Sequence, residues 1–361
     1  FRVRARRAHT PVPSDVPPPS DPAPPRPRVG LVLGGGGATG AAYHAGTLLA
    51  LHTDTGFDPA DADVVVGTSA GSIIGALVRS GVSPDDLAAW GSDVPASTGG
   101  RAARAVLDRV GDAPLRLTPP TLDRGSRRST VLAAALRGRI RPSTGLMAML
   151  PFGLLDPADS LSAIGRIGDA HIDGRALDDW PARDLWVTAV RTRDGARVVF
   201  GRDRHADLGD AIAASCAIPG LFRPVRIDGE HHVDGGAASP TNADVLVDAG
   251  VDVAIVVSPM SGWTPSVPTR PDHWIRRACS WRLRREAETL RRAGIRVHLL
   301  EPGRPVVEAL GTNPLSRDRV PRVVTAAFLD ASRHWTPSLR ADLAARTGAL
   351  ARAGALDDVR A

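Results

Sequence analysis

Lysine is absent from this 361-residue chain, so all 45 of its basic residues are arginine, against 39 acidic residues. The planar guanidinium suits phosphate and carboxylate groups, which favours contact with an anionic surface or a lipid head group. A GC-rich genome that encodes arginine in place of lysine predicts the same composition. Because the net formal charge is only +6 and no basic stripe is interleaved with aromatic residues, nucleic-acid binding is not indicated.

Cysteine is almost as scarce, with Cys216 and Cys279 as its only two examples. Two cysteines form neither a disulfide framework nor a metal cluster, which favours a reducing compartment. No apolar run reaches the length of about 18 residues that a membrane-spanning helix needs. The basic first ten residues lack the apolar core of a secretory signal. We therefore expect a cytoplasmic protein and leave peripheral association with a membrane open.

Hydrophobic residues make up 43% of the chain, enough for a sizeable core. Residues 1–27 differ, because proline, arginine and serine dominate them, and such a chain stays extended and solvated. We interpret 1–27 as a disordered leader, with a proline-rich ligand for a partner domain as the alternative. Order is expected to begin at Arg28, with one domain over 28–340 and a helical tail over 341–361.

Short apolar runs alternate with helical patterns along 28–340. This alternation predicts an α/β fold, with a mostly parallel central sheet and helices on both faces. The predicted strands are 29–33, 63–66, 185–190, 197–200, 253–257 and 296–300. The predicted helices are 41–52, 72–80, 241–249, 273–293 and 320–333.

The stretch 98–166 fits this alternation least well. It contains an apolar segment, 145–155, that is broken by Pro151 and holds two of the chain's three methionines. Flexible apolar side chains suit a lid or the wall of an acyl-binding pocket. An ordinary core helix explains the segment equally well, so a helical insert or lid and a core helix remain alternatives.

The first segment that suggests chemistry is 34–40, GGGGATG, which lies after a predicted strand and before a predicted helix. Glycines let the backbone approach a ligand closely, and free N–H groups at a helix start attract negative charge. That charge is either a dinucleotide pyrophosphate or an oxyanion that develops during a reaction. The motif alone does not choose between them.

The second segment is Gly67-Thr68-Ser69-Ala70-Gly71, a G-x-S-x-G pattern between an apolar strand and a helix. This is the setting of a nucleophile elbow, in which small flanking residues let the serine occupy a sharp turn. Ser69 would stand at the carboxyl end of a strand, beside a helix N-terminus that stabilises negative charge. A helix cap made by Ser69 or Thr68 is the alternative.

The third segment is 225–236, in which an Asp-Gly pair predicts a two-residue hairpin turn. The returning strand ends at Asp234, and Gly235 and Gly236 follow it. A lone Asp-Gly-Gly is ordinarily only a turn. The segment is a candidate for catalysis only because the glycine-rich segment and the G-x-S-x-G segment occur in the same chain.

A serine nucleophile needs a base, and a conventional triad places a histidine after the acid. The histidines after Asp234 are His273, His298 and His334, none of which lies in a recognisable loop motif. At most one of His231 and His232 can face the site, because successive strand residues point to opposite faces. The possibility of a histidine base stays open, although no sequence pattern favours one.

Together the three segments resemble the patatin-like phospholipase family. The signatures of that family are a G-G-G-x-x-G loop, the G-x-S-x-G elbow and D-G-G or D-G-A, in the order found here. The flanks 215–220, SCAIPG, and 239–244, SPTNAD, resemble the family as well. The resemblance is strong over 28–260 and weaker onward to residue 340, and it implies a three-layer α/β fold.

The resemblance also implies a lipid acyl hydrolase, a serine esterase that works through a Ser–Asp dyad and an acyl-enzyme without a metal or other cofactor. Its substrate is then a lipid or phospholipid. Ser69 is the implied nucleophile and Asp234 the implied base. The backbone N–H groups of Gly35, Gly36 and Gly37 are the implied oxyanion hole. The supporting motif glycines are Gly40, Gly67, Gly71, Gly235 and Gly236.

Thr39 departs from the family pattern, because family members commonly carry arginine or lysine there, and this weakens the case for a phosphate-bearing substrate. His44 lies near one extra residue after Gly40, and we interpret it as a surface or core histidine. Two alternatives to the hydrolase are a non-catalytic lipid-binding member and a nucleotide-binding enzyme. The latter needs an acidic residue at the end of the second strand, where the sequence has 67–69, GTS.

Overall fold

The computed structural model describes residues 26–92, 97–112, 171–172, 175–176, 180–267 and 270–348. The predicted leader, except for its last two residues, and the predicted insert or lid beyond residue 112 lie outside the described residues. The strands are β1 (Val29–Leu33), β2 (Val64–Thr68), β3 (His171–Ile172), β4 (Arg175–Ala176), β5 (Asp184–Arg191), β6 (Arg197–Phe200), β7 (Val225–Ile227), β8 (Glu230–Asp234), β9 (Val253–Val257) and β10 (Arg296–Leu300). The α-helices are α1 (Gly37–Thr55), α2 (Ala70–Arg79), α3 (Pro84–Ala89), α4 (Thr98–Asp112), α5 (Leu208–Cys216), α6 (Pro271–Arg292), α7 (Arg304–Leu310), α8 (Val320–Arg333) and α9 (Pro337–Thr347).

Eight strands form one mixed sheet in the order β10-β9-β1-β2-β5-β8-β7, with β6 paired to β5. Within this order, β10, β9, β1, β2 and β5 run parallel to one another. In contrast, β6, β7 and β8 pair antiparallel. The α/β fold with a largely parallel sheet is therefore confirmed, and the antiparallel strands lie at one side of it.

Alternate residues of the parallel strands point into two separate cores, as the pleat requires. Leu31 and Leu33 of β1 pack in the core that also holds the buried faces of α1, α2 and α8. Val32 points the other way, into a core that includes Leu283 and Leu290 of α6. The sheet therefore has helices on both faces, as predicted.

Helix α1 runs from the glycine loop into the larger core and is longer than the predicted 41–52. Its residue Gly46 faces α8, where an added Cβ would lie 2.3 Å from the carbonyl oxygen of Val324. A side chain here would push the two helices apart. The close packing of α1 on α8 thus fixes the helix that begins at the glycine loop.

One prediction about the helices needs correction. Residues 241–249 form no α-helix; a 3-10 helix covers Ala243–Asp248 instead, after Asn242 in the left-handed region with φ 52°. The predicted domain boundary at 340 falls inside α9, whose Leu339 and Leu343 are buried. The packed part of the chain therefore continues past 340 because an amphipathic helix needs its apolar side covered.

Candidate active site

The carboxyl ends of β2 and β8 meet along one edge of β5. Thr68, the last residue of β2, pairs with Thr188, and Asp234, the last residue of β8, pairs with Ala189. Because β6 pairs with both Thr188 and Ala189 along the other edge, β2 and β8 share the remaining edge and point toward each other. The topology thereby brings Ser69, the residue after Thr68, beside Asp234.

Ser69 occupies a sharp turn between β2 and α2, with φ 52° and ψ −125°. Such a backbone conformation costs a non-glycine residue about 1–3 kcal/mol. Small neighbours make it sterically feasible: a Cβ on Gly71 would lie 1.9 Å from the carbonyl oxygen of Leu33, and one on Gly67 would lie 2.4 Å from the Cα of Ser72. The turn has the strand–turn–helix geometry of a nucleophile elbow.

The Ser69 hydroxyl lies close enough to Asp234 to favour its ionised form by hydrogen bonding, and only 7% and 4% of the surfaces of the two residues are exposed. The Gly236 N–H also donates to Asp234 Oδ1, at 2.6 Å. Burial raises the pKa of Asp234 to about 6, while these two hydrogen bonds oppose the rise. At neutral pH such a carboxyl group is mostly ionised, yet it is a stronger base than an exposed aspartate.

The glycine loop packs against Ser69, since a Cβ on Gly35 would lie 3.3 Å from the Ser69 Cβ. The Gly35 N–H, which the resemblance implies for the oxyanion hole, instead donates to the Pro240 carbonyl at 2.8 Å. The Gly35 N–H is therefore already used in a backbone hydrogen bond and is not free to bind an oxyanion. Among the described residues, the N–H groups of Gly36 and Gly37 have no acceptor and stand where α1 begins.

The remaining motif glycines allow close contacts within the site. A Cβ on Gly36 would lie 2.9 Å from the Cα of Gly40, and one on Gly235 would lie 2.4 Å from the carbonyl oxygen of Thr188. A Cβ on Gly236 would lie 3.0 Å from a carboxylate oxygen of Asp234. The structure thus gathers all the motif residues around one pair of strand ends.

The sequence profile of patatin-like phospholipases matches residues 31–247, a span that includes the glycine loop, Ser69 and Asp234. The chain belongs to the patatin-like phospholipase family. Curated relatives described as uncharacterized NTE family proteins, from Mycobacterium bovis and Mycobacterium tuberculosis, are 26% identical over 233 residues, covering 64% of this chain and 49% of theirs. The chain therefore spans about half the length of these relatives.

Solved structures similar to this patatin-like chain include VipD from Legionella pneumophila and the type III effector protein ExoU. VipD has 15% sequence identity and a TM-score of 0.39, and the match covers 86% of this chain and 67% of VipD. ExoU has 18% identity and a TM-score of 0.35, with 89% of this chain and 54% of ExoU covered.

Asn242 joins the two strand ends of the patatin-like site. Its Nδ2 lies 3.1 Å from Thr68 Oγ1 and 3.2 Å from Thr188 Oγ1. The same nitrogen lies 3.2 Å from the Gly235 carbonyl and 2.7 Å from the Ser239 carbonyl. Two N–H hydrogens are shared among these four oxygens. In the sequence, the SPTNAD flank is the one signal that associates Asn242 with the site, and the helix predicted over 241–249 gives it no role there.

Ser215 and Cys216, from the SCAIPG flank, also contact the patatin-like site. The Ser215 Oγ accepts a hydrogen bond from the Ser69 N–H at 2.8 Å and so supports the elbow backbone. The Cys216 thiol lies close to Ser69 and Ser72 and is affected by the charge of Asp234. Burial, followed by the charge of Asp234, raises the pKa of this thiol, so it stays neutral and is no rival nucleophile.

Within the described residues, no histidine is among the groups that shift the pKa of Asp234. His298 is bound to Asp342 at 2.7 Å on the outer strand β10. His232 is buried with its ring edge-on to Phe200, and burial lowers its pKa to about 4. The other histidines considered as bases, His273 and His334, lie on α6 and directly after α8. Asp234 is therefore the carboxyl group that interacts with Ser69, and none of these described histidines acts on its pKa.

The two departures from the family pattern both support the glycine loop. The Thr39 N–H donates to the Pro314 carbonyl at 3.0 Å. The His44 Nε2 donates to the Gly34 carbonyl at 2.7 Å, and burial lowers the pKa of His44 to about 4. His44 is therefore a neutral core histidine, one of the two interpretations offered for it.

A cavity of about 120 Å³ adjoins the glycine loop, and its lining includes Gly36, Thr39, Pro259, Ile275 and Leu310. Over the described ranges, no helix combines the length and apolar character needed to span a bilayer. In the same part of the chain, no three histidine, cysteine or acidic side chains are grouped as metal ligands would be.

Proposed function

We propose that the protein is a lipid acyl hydrolase that cleaves carboxylic esters of lipids or phospholipids, with Ser69 as nucleophile and Asp234 as base. The observation that carries the proposal is the approach of the Ser69 hydroxyl to Asp234, beside the N–H groups of Gly36 and Gly37, which have no acceptor among the described residues. A serine hydroxyl alone is a weak nucleophile, and an adjacent base activates it. Membership of a phospholipase family supports a lipid ester as the substrate class.

Acylation begins when Ser69 Oγ bonds to the ester carbonyl carbon and its proton passes to Asp234. The carbonyl oxygen becomes an oxyanion that accepts hydrogen bonds from Gly36 and Gly37. As the tetrahedral intermediate collapses, the bond to the alcohol oxygen breaks and that oxygen takes the proton from Asp234. The acyl group remains on Ser69 as an ester.

Deacylation repeats these steps with water. Water gives a proton to Asp234 as its oxygen attacks the acyl carbon, and the same two amides stabilise the oxyanion. Ser69 Oγ then leaves and recovers the proton from Asp234, which releases the fatty acid. Serine, carboxylate and backbone amides supply each role, so the proposed mechanism uses no metal or cofactor.

The energetics favour this assignment. Raising the pKa of a carboxyl group from about 4 to about 6 makes proton removal from serine less unfavourable by about 3 kcal/mol. An oxyanion-hole donor typically contributes about 3–4 kcal/mol to lowering the barrier. The N-terminus of α1 adds a favourable dipole at the same place. These terms act together only if the ester carbonyl sits between Ser69 and the two amides.

Covalent labelling tests the nucleophile. A fluorophosphonate should label the wild-type protein, with the adduct on Ser69 by mass spectrometry, whereas Ser69→Ala should resist labelling. Ser261→Ala is the matched control, because it removes another buried serine hydroxyl that donates only to the Ser258 carbonyl. Equal labelling of wild type and Ser69→Ala would make the assignment wrong.

A hydrolysis panel tests the substrate class. It should pair phospholipids with neutral acylglycerols of the same acyl chains, because Thr39 offers no cation for a phosphate beside the glycine loop. We expect Ser69-dependent release of fatty acid from at least one of them. If the protein binds the lipids and releases no fatty acid from any, the non-catalytic lipid-binding alternative replaces the hydrolase.

A further inference from the structure

Large exposed apolar side chains are concentrated in one short stretch of the chain. Val267, Trp274, Ile275 and Trp281 have 73%, 60%, 53% and 59% of their surfaces exposed. The described residues expose only one other large apolar side chain, Leu329, at 45%. We call the four clustered residues the apolar cluster. Large apolar side chains exposed close together mark an interaction site more than a single exposed residue does.

Three members of the apolar cluster lie on α6, whose opposite side is already buried against the sheet. Cys279, Leu283 and Leu290 form part of that buried side. Trp274 and Trp281 are seven residues apart, which is about two helical turns and places them on one outward face. Their indole rings therefore lie mostly outside the core and are available for contact with a partner.

Helix α6 is also strongly basic, and its exposed arginines are Arg277, Arg284, Arg285, Arg291 and Arg292. Over Pro271–Arg292 the helix carries seven arginines against three acidic residues, a net formal charge of +4. The exposed guanidinium of Arg285 stacks on Trp281, 4.9 Å from the ring centroid, and Arg277 is exposed four residues before the same tryptophan. Tryptophan beside arginine is typical of residues at a lipid–water interface.

The apolar cluster adjoins the proposed active site. Arg276 donates to the carbonyl oxygens of Pro259 and Ser261 at 2.9 and 2.8 Å, which ties the first turns of α6 to the chain just after β9. Because β9 is parallel to β1 and β2, this is the edge of the sheet where the glycine loop lies. Ile275 itself lines the cavity that includes Gly36.

We propose that the apolar cluster and the arginines beside it dock the protein onto a bilayer that contains anionic phospholipid. The tryptophans sit at head-group depth, the guanidinium groups contact phosphates, and the carboxyl edge of the sheet faces the lipid. The choice of a lipid partner rests on the proposed lipid hydrolase function. The match of charge distinguishes the anionic bilayer from a neutral one.

Vesicle flotation tests the docking without any hydrolysis. The 361-residue chain with Ser69→Ala is mixed with vesicles of phosphatidylcholine alone or with phosphatidylglycerol added. Binding should be strong only with the anionic lipid and should fall as salt rises. In the same background, Trp274→Ser with Trp281→Ser, and separately Arg277→Glu with Arg285→Glu, should each weaken binding by about tenfold or more.

Matched controls come from α8 and its exposed surface. Leu329→Ser removes an exposed apolar side chain elsewhere, and Arg322→Glu reverses an exposed arginine elsewhere. Neither variant should change the vesicle-bound fraction by more than about twofold, because losing a side chain that inserts into the interface would change it by more than that. Equal loss in these controls, or unchanged binding in the α6 variants, would overturn the proposal.

Two further readouts separate this inference from its rivals. With Ser69 restored, the α6 variants should hydrolyse a soluble short-chain ester like wild type while losing activity on anionic vesicles. If the hydrolase proposal is wrong, the wild-type protein turns over no ester at all, whereas its binding to vesicles in the flotation assay is unaffected. Light scattering should show the same oligomeric state for wild type and for the variant with Trp274→Ser and Trp281→Ser. A change in oligomeric state would mean that the apolar cluster binds a second copy of this chain, and it would overturn the lipid proposal.

Discussion

Two buried carboxyl groups, Asp234 at the end of β8 and Glu286 on α6, show how different two regions of this protein are. Burial raises the pKa of both. Glu286 accepts hydrogen bonds from Thr241 Oγ1 at 2.6 Å and the Ala243 N–H at 3.0 Å, and it pairs with Arg282 at 3.1 Å. Two hydrogen-bond donors and an arginine therefore stabilise this carboxylate.

Asp234 is equally buried and far less supported. Within the described residues, the donors that act on its pKa are one backbone amide, from Gly236, and the Ser69 hydroxyl. No arginine in the described part of the chain acts on its pKa, and one of its two donors is the proposed nucleophile. The comparison indicates that burial alone does not identify a reactive carboxylate. A reactive carboxylate is buried with too few hydrogen-bond donors and no cation to stabilise its charge, and it lies next to a group that can give up a proton.

The strongest test of this comparison is the isosteric change Asp234→Asn. Asparagine keeps the shape and can still accept hydrogen bonds from Ser69 and Gly236, but it cannot take a proton. Turnover of a short-chain nitrophenyl ester should fall about a thousandfold, within the range for losing a general base. Steady-state kinetics measure the loss, and circular dichroism should show an unchanged fold.

Asp342→Asn is the matched control for that experiment, because it removes a mostly buried carboxylate that pairs with His298 on the outer strand. Its turnover should stay near that of wild type. Near-normal turnover in Asp234→Asn would reject Asp234 as the base and reopen the search for one.

Glu286 should behave in the opposite way. Glu286→Ala strands the charge of Arg282 and two buried donors, and removing one partner of a buried pair costs about 3–5 kcal/mol of stability. Chemical denaturation measures that cost, and Glu286→Gln should lose less because it keeps an acceptor. Turnover per folded molecule should fall far less than in Asp234→Asn; an equal fall would erase the distinction between the two carboxyl groups.

The pH dependence sharpens the comparison further. The pKa of Asp234 is about 6 when folded and about 4 when unfolded, so the native state holds the extra proton between these values. Stability therefore decreases as pH rises from about 4 to about 6, and ionised Asp234 costs up to about 3 kcal/mol above that window. Asp234→Asn should be more stable than wild type at pH 8, with the difference vanishing near pH 4.

Turnover should follow the opposite trend, rising as pH increases through about 6 because the ionised form is the base. Denaturation curves and kcat/KM at matched pH values measure the two trends. A stability difference that does not depend on pH would show that Asp234 does not titrate in this window.

Local sequence patterns predicted the parts of the site that depend on neighbours in the chain. Runs such as 29–33 and 253–257 match their strands because buried parallel strands are short and apolar. The Asp228-Gly229 hairpin is confirmed as well, with φ 50° and 80°. These features need no knowledge of the rest of the fold.

Contacts between distant segments could not be predicted in this way. The Gly35 N–H was expected at the oxyanion, but its acceptor, Pro240, lies in a segment that only the folded sheet brings close. Asn242 was placed at the start of a helix, whereas its left-handed backbone lets one side chain reach both strand ends. Apolar periodicity contains no information about either contact.

The smallest expected effect concerns Ser215, which touches the nucleophile's backbone rather than the reacting atoms. Ser215→Ala removes the acceptor of the Ser69 N–H, at a cost of about 1–3 kcal/mol for an unsatisfied buried group. If that hydrogen bond holds the strained elbow, kcat and the fluorophosphonate labelling rate should both fall about tenfold, while KM changes little. Ser261→Ala should leave both rates unaltered. A variant that loses stability but labels at the wild-type rate would show that the elbow is held by its glycine contacts alone.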